Sequence, residues 1–342
     1  MTVKIQINKV AVVTGAAGFI GFHICKYLLK KGWRVIGIDN LNSYYDVSLK
    51  KNREKILKKN KNYRSINKNI EKPKLLLSIF KEESPDVVIH LGAQAGVRYS
   101  LKNPRAYFES NILSTFELLE ASKSYPPKHM LLASTSSVYG VNKKMPFRET
   151  DKADHQVSFY AATKKTTENL AHSYSHVFKL PITMFRFFTV YGPWGRPDMA
   201  YFKFTDKIFK GLEIDVYNEG IMERDFTYID DLSKAIYLLI NVIPDMNNDI
   251  KFKYDSLSHV APFRIVNIGN SKPVKLLDFI KAIENNIQLK AKKNMLPMQI
   301  GDVYSTWACS KLLTELTGFK PKTNVNEGVK EFVKWFKQYY QI

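Results

Sequence analysis

Cysteine is almost missing from this sequence: Cys25 and Cys309 are the two examples in 342 residues. They stand nearly a whole chain apart and neither forms a CxxC pair, which excludes a disulfide framework and leaves two ordinary reduced thiols. No metal site is expected. Long apolar runs are also missing, since none reaches the roughly 20 residues that a membrane helix needs. Met1–Asn8 lacks the apolar core of a signal peptide. The expectation is a cytoplasmic protein with no membrane partner. Internal repeats, low-complexity linkers and arginine-rich or aromatic-interleaved basic tracts are absent too. That last absence decides how the net charge of +20 is read. The lysines are spread widely, densest between Lys50 and Lys81, so they read as a solvated face and a compositional bias, with no nucleic-acid partner. A basic surface still helps to attract an anionic nucleotide.

What is present is core-forming material: 45% of residues are hydrophobic, enough for one large core or two joined lobes. The stretch Val10–Gly21 organises it. Val10–Thr14 is a β-branched block suited to a strand buried on both faces, and Gly15, Gly18 and Gly21 follow before a helical pattern begins. Strand, glycine turn and helix in that order form a dinucleotide cradle. Gly15 permits the turn, Gly18 lets backbone approach a pyrophosphate, and Gly21 lets the helix close on the sheet while its N-terminal amides face the phosphates. Asp39 ends the next strand, Val35–Asp39, where a carboxylate accepts from ribose hydroxyls and repels a 2′-phosphate. The cofactor is therefore expected to be NAD rather than NADP. Phe19, Ile20, Asn40, Ile70, Leu91 and Ala93 are expected beside it. A third strand is expected from Tyr63 to Ile70, placing Asn69 at the adenine edge, where its amide oxygen can accept from the adenine amine.

Further strands are expected at Pro85–Gly92, Lys128–Ala133 and Pro181–Arg186, alternating with helices at Val47–Lys59, Asn111–Ala121 and from Ser158 onward. This rhythm predicts an α/β fold: a doubly wound parallel Rossmann sheet with a smaller C-terminal substrate-binding lobe. The rhythm breaks at Phe188–Asp198, so residues 1–188 are assigned to the cofactor domain and 189–342 to the second lobe. Tyr228–Leu232 and Phe263–Gly269 read as returns to the sheet, which interweaves the two. His90 reads as a satisfied core histidine.

Chemistry concentrates after Lys128–Ala133, where Ser134-Thr-Ser-Ser137 falls at the C-terminal end of a strand, the side on which such sheets bind ligands. Tyr160 and Lys164 are four apart at a helix start and so share one face. Such a pair is ordinarily a helix surface. Coupled to the cradle and the hydroxyl cluster, it reads as a catalytic phenol whose ionised form is favoured by the adjacent ammonium and by a cationic nicotinamide.

These motifs resemble the extended short-chain dehydrogenase/reductases, through Gly15-Ala-Ala-Gly-Phe-Ile-Gly21, Ser136-Ser-Val-Tyr-Gly140 and Tyr160-Ala-Ala-Thr-Lys164. Within that group Asp39–Leu49, Gln94–Ser100 and Phe185–Met199 are similar to the UDP-glucuronate 4-epimerases. The resemblance implies a UDP-sugar substrate and a homodimer. It implies Tyr160 as base, Lys164 as its tuner and ribose ligand, and Thr135 as the hydroxyl partner. Ser136, Ser137, Thr189 and Arg98 would surround the sugar carboxylate, and Arg196 and Arg224 are candidates for the uronate or the diphosphate. Tyr217 would lie near the uracil and Asp302 near the uridine ribose. Activity toward a neutral UDP-sugar, or decarboxylation of the uronate, is the nearest alternative. Two departures stand out: Asn69 replaces the family's usual Asp, and Cys309 stands where an Asp is frequent, leaving Ser310 to replace a helix cap.

Overall fold

A run of consecutive β-branched apolar residues cannot leave either face in water, so it must sit within a sheet covered on both sides. The computed structural model, which describes residues 9–246, 252–299 and 303–342, places Val10–Thr14 (β1) in such a position. Arg34–Ile38 (β2), Tyr63–Ile66 (β3), Val87–His90 (β4), His129–Thr135 (β5) and Ile182–Phe187 (β6) follow, separated by helices. Thr189–Tyr191 (β7), Ile214–Tyr217 (β8) and Glu223–Tyr228 (β9) precede Phe263–Ile268 (β10). Pro273–Lys275 (β11), Lys293–Leu296 (β12) and Ser305–Thr306 (β13) come last. The main sheet has seven strands in the order β10-β6-β5-β4-β1-β2-β3, every pair parallel. Its winding reverses between β1 and β4, and a crevice opens there beyond the C-terminal strand ends.

Alternate residues of β1 serve opposite layers. Ala11 and Val13 pack beneath the helices Phe19–Lys30 and Ile229–Leu239. Val12 packs on the other side, beneath Leu75–Glu83, Ser114–Ser124 and Phe159–Phe178. Each buried Leu, Ile or Phe in these layers contributes roughly 1.5–3 kcal/mol. Beyond Thr189, β9 pairs with β7, β11 and β13 in a small sheet, and β8 pairs with β12.

The doubly wound parallel sheet is as expected, with two local corrections. The third strand stops at Ile66 rather than Ile70, because Asn67, Lys68 and Asn69 break the apolar alternation and Lys72 N turns back to Asn69 O at 3.3 Å. Phe263–Ile268 does rejoin the main sheet, but the strand ending at Tyr228 belongs to the small one. Only the helix after it, Ile229–Leu239, returns to pack on Phe19–Lys30.

Candidate active site

The glycine turn is built for close approach. Gly15 has φ of +68°, and a Cβ there would come within 2.8 Å of Gly92 N; a Cβ on Gly21 would meet Gly15 O at 2.0 Å. Gly15 N is anchored to Ile38 O at 2.8 Å. The helix Phe19–Lys30 that follows has neither a side-chain cap nor an acidic residue in its first turn, so its leading amides are left to face an anion. Asp39 closes the cradle, accepting from Ala17 N at 3.0 Å and Leu41 N at 2.8 Å. Burial raises its pKa, opposed by these two amides and by the charges of Lys50 and Arg53. Turn, uncapped helix and carboxylate together fit a dinucleotide.

The cradle opens into a cavity of about 880 Å³ whose wall includes Gly15, Gly18, Phe19, Ile20, Gly21, Asp39, Asn40, Ile70, Leu91 and Ala93. The same cavity takes in Thr135, Ser136, Ser137, Tyr160, Lys164, Thr189, Arg196 and Arg224. Asn69 is not in that wall. Lys68, Ile70 and Glu71 are, as follows from the early end of β3. Arg98 and Tyr217 meet each other instead, the guanidinium 4.8 Å above the ring, and neither lines the cavity. Asp302 lies outside the described residues.

Thr135 ends β5 and caps the short turn Ser136–Tyr139, accepting from Ser137 N at 3.2 Å. Ser158 caps the helix Phe159–Phe178 through Ala161 N at 3.2 Å, which sets Tyr160 and Lys164 into the cavity from its first turns. Asn111, in a π-helical turn, donates to Gln94 O at 3.1 Å and to Thr163 at 2.9 Å, and so joins the wall after β4 to that helix. Burial pushes the Tyr160 phenol up, and the groups that oppose it are the Thr135 hydroxyl and the Arg196 charge. Lys164 lines the same cavity. Its own ammonium is lowered to about 8 by burial, with the Glu168 carboxylate pulling the other way. Glu168 forms a buried bidentate pair with Arg186, both bonds 2.9 Å, and accepts from Ser134 at 2.7 Å.

Arg196 is held on Asp198, Nε to Oδ1 at 3.0 Å, and Tyr44 donates to the same carboxylate at 3.3 Å. Arg224 is tied to the carbonyls of Glu223 at 2.9 Å and Tyr304 at 3.1 Å, beside the wall residues Val303–Thr306. Ser310 does not replace a helix cap. Its hydroxyl donates to Gly269 O at 2.7 Å, which leaves the helix Lys311–Thr317 without one. His90 is a satisfied core residue, bonded to Thr14 at 2.8 Å and Thr115 at 3.2 Å and pushed down to about 3 by burial. Among the described residues no His, Cys, Asp and Glu side chains gather as a metal site, and no helix is long and apolar enough to cross a membrane.

Two cations escaped the reading of the lysine run as a solvated face. Lys50 is 4% exposed and Arg53 fully buried, while Lys51 and Lys55 on the same helix, and Lys58 at its C-cap, are exposed. The signal was available: Arg53 is four residues from both Leu49 and Leu57, on the inner face.

An α/β enzyme that works with a dinucleotide is the class this geometry defines. The chain belongs to the NAD dependent epimerase/dehydratase family, whose model matches residues 11–250. A probable UDP-glucuronate 4-epimerase of Rhizobium meliloti (strain 1021) is 51% identical over 331 residues, covering 96% of this chain and 97% of that protein. UDP-glucuronate 4-epimerase 4 of Arabidopsis thaliana is 45% identical over 333 residues, covering 96% of this chain and 75% of that one. Among solved structures, UDP-glucuronic acid 4-epimerase from Bacillus cereus, in complex with UDP-glucuronic acid and NAD, superposes with a TM-score of 0.85. It is 32% identical and covers 97% of this chain and 100% of its own.

Proposed function

We propose that this protein is an NAD-dependent isomerase that interconverts UDP-glucuronate and UDP-galacturonate by epimerising C4 through a 4-keto sugar. The observation that carries the reading is one cavity that holds the dinucleotide cradle, the Thr135/Tyr160/Lys164 group and the cation Arg196, whose charge already reaches Tyr160. When bound, NAD supplies the hydride acceptor and then the donor at C4, with no net redox change. Tyr160 takes the proton of the 4-hydroxyl and returns it, and Thr135 orients that hydroxyl. Lys164, kept charged by Glu168, holds the nicotinamide ribose and stabilises the phenolate. Ser136, Ser137 and Thr189 donate to the sugar carboxylate, and Arg196 supplies the countercharge. Arg224, tied to the Tyr304 carbonyl, serves the diphosphate from the second lobe. In this reading Asn69 serves the adenine edge, Arg98 the sugar carboxylate and Tyr217 the uracil, all three from outside the cavity wall.

A homodimer is part of this reading. Leu101, Phe108, Phe116, Val177 and Phe178 are exposed on helices that pack together beside the main sheet, an apolar face that a second copy would cover. The unpaired Cys25 and Cys309 fit a reducing, cytoplasmic setting. Incubation of the protein with UDP-glucuronate, followed by NMR, tests the proposal: UDP-galacturonate is expected. Turnover of UDP-glucose alone, or loss of carbon dioxide to give a pentose, would replace it.

A further inference from the structure

Arg53 lies on the helix Val47–Leu57 and has no exposed surface. A guanidinium stays charged at any ordinary pH, and burying it is costly unless a carboxylate or several good acceptors surround it. No carboxylate among the described residues hydrogen-bonds Arg53. Its Nη1 donates to Ala17 O at 2.9 Å and to the Tyr45 hydroxyl at 2.8 Å; its Nη2 donates to Trp194 O at 2.6 Å and Gly195 O at 3.1 Å. Nε has no partner at all. One planar fork therefore grips two segments far apart in the chain. Ala17 is in the glycine turn of the cradle, and Trp194 and Gly195 immediately precede Arg196.

The second segment needs such a grip. Trp194 has φ of +61°, a left-handed conformation that a bulky residue keeps only when its surroundings impose it. Its ring is packed on Phe22, Trp335 and Tyr339, with centroids 5.5, 5.3 and 5.2 Å away, while Arg53 holds its carbonyl. Arg196 then projects into the cavity from this fixed turn. The charge of Arg53 is also felt at Asp39, which accepts from Ala17 N of the same turn. A buried cation on the glycine turn favours an anion bound there, and the same fork holds the loop that carries Arg196.

We propose that Arg53 is a positioning residue that couples the two halves of the site: it fixes the Arg196 loop against the dinucleotide cradle, so that an occupied cradle tightens the grip on the sugar carboxylate. This rests on the epimerase reading above. Lysine cannot replace it, because one ammonium on a flexible stem does not span both pairs of acceptors at once.

The test is a binding comparison in the Tyr160→Phe background, where turnover does not intervene. Affinity for UDP-glucuronate and for UDP is measured by calorimetry with and without saturating NAD, in Arg53→Lys and in Tyr45→Phe, which keeps the guanidinium but removes one of its four acceptors. With Arg53 intact, NAD is expected to tighten UDP-glucuronate at least fivefold. Arg53→Lys is expected to bring that ratio to within twofold of unity and to weaken NAD about tenfold, leaving UDP affinity within twofold. Tyr45→Phe should give an intermediate ratio. A ratio preserved in both variants overturns the coupling, as does a parallel fall for UDP and UDP-glucuronate, the mark of a merely structural role. Failure of the unsubstituted enzyme to make UDP-galacturonate overturns the functional reading instead, so the two failures are distinguishable.

Discussion

Glu168 offers a test of how the site is powered. Its carboxylate, 2% exposed, is one helical turn beyond Lys164 and opposes the burial that lowers that ammonium to about 8. At a separation of about 6 Å and an effective dielectric of about 20, two unit charges interact by roughly 3 kcal/mol, or about two pKa units. Glu168→Gln removes that support and leaves Arg186 buried without its counterion, so Lys164 is expected to fall to roughly 6. Lys164 is charged below its pKa and neutral above it, so activity that depends on the charge is present at low pH and lost as pH rises through that value. The alkaline limb of kcat/KM should therefore move down by about two pH units, from near 8 to near 6. Breaking the pair should also cost about 3–5 kcal/mol of stability. Combining Glu168→Gln with Arg186→Met removes the orphaned cation and should restore part of that stability, yet leave the limb low, because the missing carboxylate is common to both. The assay is kcat/KM for UDP-glucuronate between pH 5 and 10, with thermal melts alongside. A limb at the wild-type position in either folded variant would refute the argument and leave Glu168 a structural residue only.

Tyr160→Phe is expected to retain NAD binding while losing epimerisation by a factor of about 10²–10⁴, the usual worth of a general base; turnover near the wild-type rate would remove the phenol from its role. Asp39→Ala deletes a charged acceptor of two amides and a ribose ligand, so NAD should bind about 10–100-fold more weakly and discrimination against NADP should relax, with Lys50 left facing the gap. Unchanged titrations with both cofactors would count against it. Thr189→Val addresses a hazard of the reaction: a ketone at C4 makes the uronate a β-keto acid, which loses carbon dioxide when its carboxylate aligns with the carbonyl π system. Without the Thr189 hydroxyl, slower epimerisation should be accompanied by a decarboxylated 4-keto pentose and by NADH, seen by mass spectrometry and absorbance. Slowing alone would place the carboxylate grip elsewhere.

The fold was readable because its signals are local and strong. Val10–Thr14 is a strand at the positions its β-branched run marks, and the alternation of strands and helices leaves few topologies besides a doubly wound parallel sheet. Boundaries failed where a polar turn overrode an extended pattern, as between Ile66 and Ile70. Buried cations failed for a different reason. Arg53 sits on the apolar face by helical spacing, but its acceptors at 194 and 195 are more than a hundred residues away, and no periodicity in the Val47–Leu57 helix points to them.

The Tyr160/Lys164 pair shows what helical spacing reports and what it leaves out. Spacing places Lys164 beside Tyr160, and from that neighbour together with a cationic nicotinamide a lowered phenol pKa is expected. Spacing does not report burial, and burial acts on both groups at once: it raises Tyr160 and lowers Lys164, pushing each toward its neutral form. Further charges that resist come from outside the pair. Arg196, from the loop after β7, favours the phenolate, and Glu168, held by Arg186 and Ser134, favours the ammonium. Burial thus presses both members of the Tyr-Lys pair toward their neutral forms, and two further charges resist it, one from the loop after β7 and one from the helix Phe159–Phe178. On the proposed mechanism the catalytic unit takes in at least these four residues, and only two of them lie in the motif.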